Sequence, residues 1–193
     1  FAGARVAAEA ETRQTLGREV MLAEIYAHPA LRGTDPAAEC AAELAMIAPN
    51  RPVAQAAAAC HARGQKVYAV SDMYLPKEQI EAMLQKCGLD FLDGVFVSCE
   101  YGVQKRSGKL FKLFLQQTAL RPAEVLFVGD SPRADFAGAA LAGIRCFLLP
   151  QPTPLPYTKT PADAVGGVVI ATLQNCCQNL NPSAALGAEL LGP

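Results

Sequence analysis

The chain has 193 residues, 51% of them hydrophobic and 18% charged, and its formal net charge is −1. That length allows one full core plus a small appendage, and that composition excludes a disordered chain. A near-zero net charge gives no electrostatic ground for nucleic acid or an acidic membrane as a partner.

Residues 1–28 read as helical, with the Ala, Glu and Arg of FAGARVAAEAETRQ continued by MLAEIYAH beyond Gly17. Turn residues follow at 29–36, then a helix over 37–48 opened by Asp35-Pro36, with PNRP at 49–52 as its stop. A third helix covers 53–63 and ends at Gly64. The texture then changes. KVYAVSD (66–72), GVFVS (94–98), VLFVG (125–129) and RCFLLP (145–150) are short apolar runs of strand type. Helices over 76–87, 107–120 and 133–142 separate them. Strands alternating with helices of about ten residues predict βαβ units and a parallel sheet covered on both faces. PQPTPLPYTKTP (150–161) reads as a stiff linker, and VVIATLQNCCQNL after it as a short helix. The run Val165 to Leu173 is too short to span a bilayer. These readings divide the chain into a helical region at 1–63, an α/β core at 64–150, and a linker with the start of a further region at 151–193.

Seven cysteines, an odd number without a CxxC pair, read as reduced thiols of a cytoplasmic protein. His28 and His61 lack the spacing of zinc ligands and read as structural or exposed.

Ligands of open parallel sheets sit outside the carboxyl ends of the strands. The first strand delivers Ser71-Asp72 there. The second delivers Ser98 and then EYGVQKRSGKLF with Lys105. The third delivers Gly129-Asp130-Ser131 and, five positions on, Asp135. A hydroxyl, a lysine and an acidic pair on one rim suit phosphate and a hard cation. The hydroxyl binds phosphate oxygens, the lysine neutralises developing charge, and carboxylates hold Mg²⁺. Other readings fit less well. Ser131 in GDS has no histidine downstream to serve as a base. VSDMYLP is similar to a phosphoacceptor segment, but no acidic pair lies on a first strand. No GxGxxG supports dinucleotide binding.

The order VYAVSD, KRSGKLF, VLFVGDSPRAD resembles the second, third and fourth motifs of the haloacid dehalogenase superfamily, over roughly residues 60–150. The resemblance implies a Rossmann-like three-layer parallel sheet with an all-helical N-terminal cap. It implies hydrolase chemistry of Mg²⁺-dependent phosphomonoesterase type, through an aspartyl-phosphate. Ser71, Lys105 and Asp130 would be catalytic, with Ser71, Asp72 and Lys105 on the substrate and Asp130 and Asp135 on the metal. SDMYLP, FVSCEYGVQKRSGKLF and the closing LGAELLGP are similar to a bacterial branch associated with glycosyltransferases and surface polysaccharide. That likeness implies a small phosphorylated substrate such as a sugar phosphate, and a glycosyltransferase domain or partner. One departure stands out: no strand carries the family's first motif. The expectation is that the nucleophilic aspartate lies upstream of Phe1, on a strand belonging in the sheet centre between those ending at Ser71 and Gly129. This chain alone would then be inactive. The alternative is a non-catalytic module of the same fold beside a glycosyltransferase.

Overall fold

The computed structural model describes residues 2–149. The N-terminal part is helical: α1 (Ala2–Leu16), α2 (Leu22–Tyr26), α3 (Pro36–Met46) and α4 (Arg51–Ala62). The Asp35 carboxylate caps α3 by accepting from the Ala37 N–H at 2.9 Å, with Pro36 in the first turn. Asn50 caps α4 in the same way, so PNRP begins a helix as well as ending one. The helix expected over 1–28 is interrupted. The chain turns at Gly17, runs extended, and restarts at Leu22, where the Glu24 carboxylate accepts the Met21 N–H at 2.9 Å. Tertiary contacts impose this break: Glu19 and Val20 are both buried, 2% and 0% exposed.

The α/β part follows the order read from the sequence: β1 (Tyr68–Ser71), α5 (Lys77–Lys86), β2 (Gly94–Val97), α6 (Ser98–Tyr101), α7 (Lys109–Thr118), β3 (Leu126–Gly129), a π-turn (Pro132–Ala137), α8 (Gly138–Leu141) and β4 (Arg145–Leu148). Val95 and Val97 of β2 pack with Leu22, Leu75, Ile80 and Met83 on one face. Phe96, between them, packs with Phe111, Phe114 and Ile144 on the other. This period-two alternation into two apolar layers is what a doubly covered strand requires. Complete burial of Leu110 and Phe111 on α7 contributes about 1.5–3 kcal/mol each.

The strands form two parallel pairs. β1 pairs with β2, Ser71 opposite Val97, and β3 pairs with β4, Gly129 opposite Leu148. The two pairs are separate sheets among the described residues. The apolar cluster around Phe96 and Phe111 holds them together, with Val70 of β1 and Phe127 of β3 packed against it. β1 and β3 are half-buried along their whole length, whereas β2 is buried from Val95 to Val97. Inner strands of a parallel sheet are normally the most buried. No helix among the described residues is long and apolar enough to cross a membrane. The linker and the C-terminal helix expected after residue 149 lie outside the described residues.

Candidate active site at the strand rim

The rim is organised by Asp135, which is 3% exposed. The sequence ends β3 with Gly-Asp-Ser-Pro, and a π-turn follows in which the Phe136 N–H donates to the Ser131 carbonyl. This wide turn folds the Asp135 carboxylate back onto the strand end. Its Oδ2 accepts the N–H groups of Asp130 and Ser131, each at 2.9 Å. Its Oδ1 accepts from Lys105 Nζ at 2.5 Å. The ammonium also lies 5.5 Å from the Phe127 ring centroid. Two glycines make room. A Cβ on Gly129 would stand 2.4 Å from Asp135 Oδ2, and one on Gly138 would stand 2.1 Å from the Lys105 carbonyl oxygen.

Asp72 joins β1 to the same group, because its Oδ1 accepts the Lys105 N–H at 2.9 Å. Burial pushes the Asp72 carboxyl above the usual range, aided by the charges of Glu19 and Asp135 and opposed by Lys105. Burial likewise raises Asp130, with the Asp135 charge adding to it. Ser71 is half-buried at the end of β1, and its hydroxyl has no hydrogen-bond partner among the described residues.

Lys105, Asp72, Asp130 and Asp135 are thus linked directly through hydrogen bonds, with Ser71 adjacent in the chain. As for metal, the described residues hold no cluster of three or more His, Cys, Asp or Glu side chains placed to bind one. Both Asp135 oxygens are engaged, by Lys105 and by the Asp130 and Ser131 amides. His28 meets Glu11 at 3.0 Å and His61 stacks on Phe91 at 4.8 Å, so both have structural contacts. Among the described residues Cys40, Cys60, Cys87, Cys99 and Cys146 form no disulfide.

Sequence reading missed Glu19. Its carboxylate accepts from Ser98 Oγ at 3.1 Å and from Arg13 and Gln104 Nε2. Ser98 Oγ in turn accepts the Met73 N–H at 2.9 Å. The helical part therefore reaches both loops that carry Asp72 and Lys105. The only trace in the sequence is Gly17 interrupting an Ala-rich helical pattern.

The sequence profile of haloacid dehalogenase-like hydrolases matches residues 3–143. The chain is 41% identical over 51 residues to a phosphoserine phosphatase of Thermus thermophilus, a match covering 26% of this chain and 20% of that protein. It is 38% identical over 68 residues to a ribulose-1,5-bisphosphate 5-phosphatase of Halopiger xanaduensis, covering 35% of this chain and 28% of the relative. Each match thus spans less than a third of the relative's length. Among solved structures, the L-2-haloacid dehalogenase of Xanthobacter autotrophicus superimposes with a TM-score of 0.60 at 19% identity, covering 85% of this chain and 73% of that one. This likeness is one of fold.

Proposed function

The chain belongs to the haloacid dehalogenase-like hydrolases, and from that premise we propose that its rim hydrolyses small phosphomonoesters with Mg²⁺. The observation that carries this is the placing of Lys105. Its ammonium is held by Asp135 at 2.5 Å and its backbone by Asp72 at 2.9 Å, and Asp72 follows Ser71, whose hydroxyl has no hydrogen-bond partner among the described residues. A fixed cation and a hydroxyl on one strand rim suit a phosphoryl group, whose oxygens gain charge in the transition state. Two of the relatives named above are phosphatases. Ser71 and Lys105 bind the phosphoryl oxygens, and Asp72 orients Lys105 through its backbone.

Asp130 suits a hard cation. Its carboxyl is raised by burial and by the Asp135 charge, against the opposing charge of Lys105, and a divalent ion there would favour the ionised form. Mg²⁺ keeps several waters and takes one or two carboxylates. Asp130 would hold such an ion, with Asp135 fixing the turn that carries it. The ion, when bound, stabilises charge on the phosphoryl group. The nucleophile comes from a further strand between β1 and β3, whose half-buried state leaves room for one. A carboxylate oxygen at its end attacks phosphorus in line, and the ester oxygen departs and takes a proton. Water then cleaves the aspartyl-phosphate to orthophosphate and regenerates the carboxylate. On the same reading the substrate is a sugar phosphate, the compartment cytoplasmic, and a glycosyltransferase domain or partner accompanies the protein.

The test is phosphate release from p-nitrophenyl phosphate by the polypeptide as the cell makes it, with and without Mg²⁺. Asp130→Asn is expected to lower the rate by at least about a hundredfold, comparable to losing a strong electrostatic contribution. Full activity in that variant refutes the metal role. No release by the wild type leaves the non-catalytic module as the reading.

A further inference from the structure

A second feature lies beside the rim. The chain between α1 and α2 and the segment from β2 to α7 enclose a cleft of about 290 Å³, at the lower end of ligand sites. Arg13, Arg18 and Lys109 bring three positive charges to it, and Glu19 brings the one negative charge. The Glu19 charge is already spent: Arg13 and Gln104 donate to it within the cleft wall, and Ser98 from behind. Arg18 pairs with Glu24, which is not part of the lining. Its guanidinium has five donor hydrogens, and Glu24 and the Glu19 carbonyl engage three. Lys109 makes no ion pair or side-chain hydrogen bond among the described residues. The cleft therefore presents two exposed cations with donors to spare.

The cleft is joined to the rim through bonds already described. Gln104, in its wall, is followed in the chain by Lys105. Glu19 reaches Met73, next to Asp72, through Ser98.

We propose that this cleft binds a second acidic group of the substrate, a phosphate or carboxylate, through Arg18 and Lys109. The inference rests on the rim's being the phosphoryl site, and it narrows the substrate class to small molecules with two anionic groups. A planar guanidinium gives such a group two parallel donors, and the ammonium adds charge. Binding weakens as salt rises, because both cations are exposed.

The test is a nuclear magnetic resonance titration of the full chain with inorganic phosphate at low ionic strength. The amides of Gly102, Gln104 and Lys109 report the cleft, and those of Gly129 and Asp130 report the rim. The expected result is a shift in both sets. Arg18→Ala with Lys109→Ala weakens the cleft response at least about tenfold, a loss of about 1.4 kcal/mol, and leaves the rim response in place. Ser71→Ala does the reverse. Both replaced cations are exposed, so the fold survives their loss. A pentose bisphosphate is then expected to bind at least about tenfold tighter than inorganic phosphate, shifting both sets together. A silent cleft, or a cleft response unchanged in the double variant, overturns the proposal. So does a bisphosphate that binds no tighter than phosphate, which makes the cleft a site for a free anion. A responsive cleft beside a silent rim marks failure of the phosphoryl site instead.

Discussion

Arg5 in the helical part and Asp72 on the rim are both withdrawn from water, yet their surroundings treat the charge differently. Arg5 is 7% exposed and fully partnered. Its guanidinium donates twice to Glu39, at 2.7 and 2.9 Å, and once to Glu9 at 2.9 Å, and it lies 4.4 Å from the Tyr74 ring centroid. Tyr26 donates to the same Glu39 at 2.7 Å, and burial with that carboxylate pushes the phenol up to about 12. The result is a closed network that spends its charge on structure. Asp72 has one backbone donor and a raised carboxyl, and Asp130 on the same rim is raised as well. Carboxyl groups raised by burial, just past the ends of half-buried strands, recur at functional sites.

The largest expected effect breaks the closed side. Arg5→Ala leaves the part-buried Glu39 without its cationic partner and with Tyr26 as a neutral donor, at a cost of up to about 3–5 kcal/mol. A denaturant midpoint that barely moves would contradict the network's role. Gly138→Ala acts on the rim. The added methyl meets the Lys105 carbonyl at 2.1 Å, so about 1–3 kcal/mol is lost through displaced backbone. Phosphate binding at the rim should fall with it, and an unchanged affinity would detach Lys105 from the site.

Acid titration sharpens the comparison because the two regions have opposite signs. Burial works to raise Glu39, but Arg5 and Tyr26 outweigh it and hold the group below its ordinary 4.5. Its contribution is present above 4.5 and is lost as pH falls through the depressed folded value. Asp72 is raised above its ordinary 3.8, chiefly by burial. Its contribution is present below 3.8 and is lost as pH rises through the raised folded value. Unfolding measured against pH should show Glu39→Gln flattening the acid limb, and Asp72→Asn gaining stability on the wild type toward neutral pH. The same sign for both variants would contradict the contrast. Arg121→Ala, which removes an exposed pair with Glu124, should leave the midpoint in place.

The strands were legible because each is a short apolar run, and β1 and β3 stop at Ser-Asp and Gly-Asp. Lys105, Asp130 and Asp135 could be named because polar groups at such ends collect on one rim. The helix interruption at 17–21 was not legible, since Glu19 finds two of its three partners 79 and 85 residues away, at Ser98 and Gln104. The helix expected over 133–142 opens as a π-turn because Asp135 must reach the Asp130 and Ser131 amides. Local propensity carries no trace of that requirement.

The central claim is that the rim is completed by a strand lying between β1 and β3. An experimental structure of the polypeptide as the cell makes it tests this most directly. The account predicts a parallel strand hydrogen-bonded to both, ending in a carboxylate that faces Lys105 and Asp130. Direct pairing of β1 with β3, or an intervening strand with no carboxylate at its end, would contradict it.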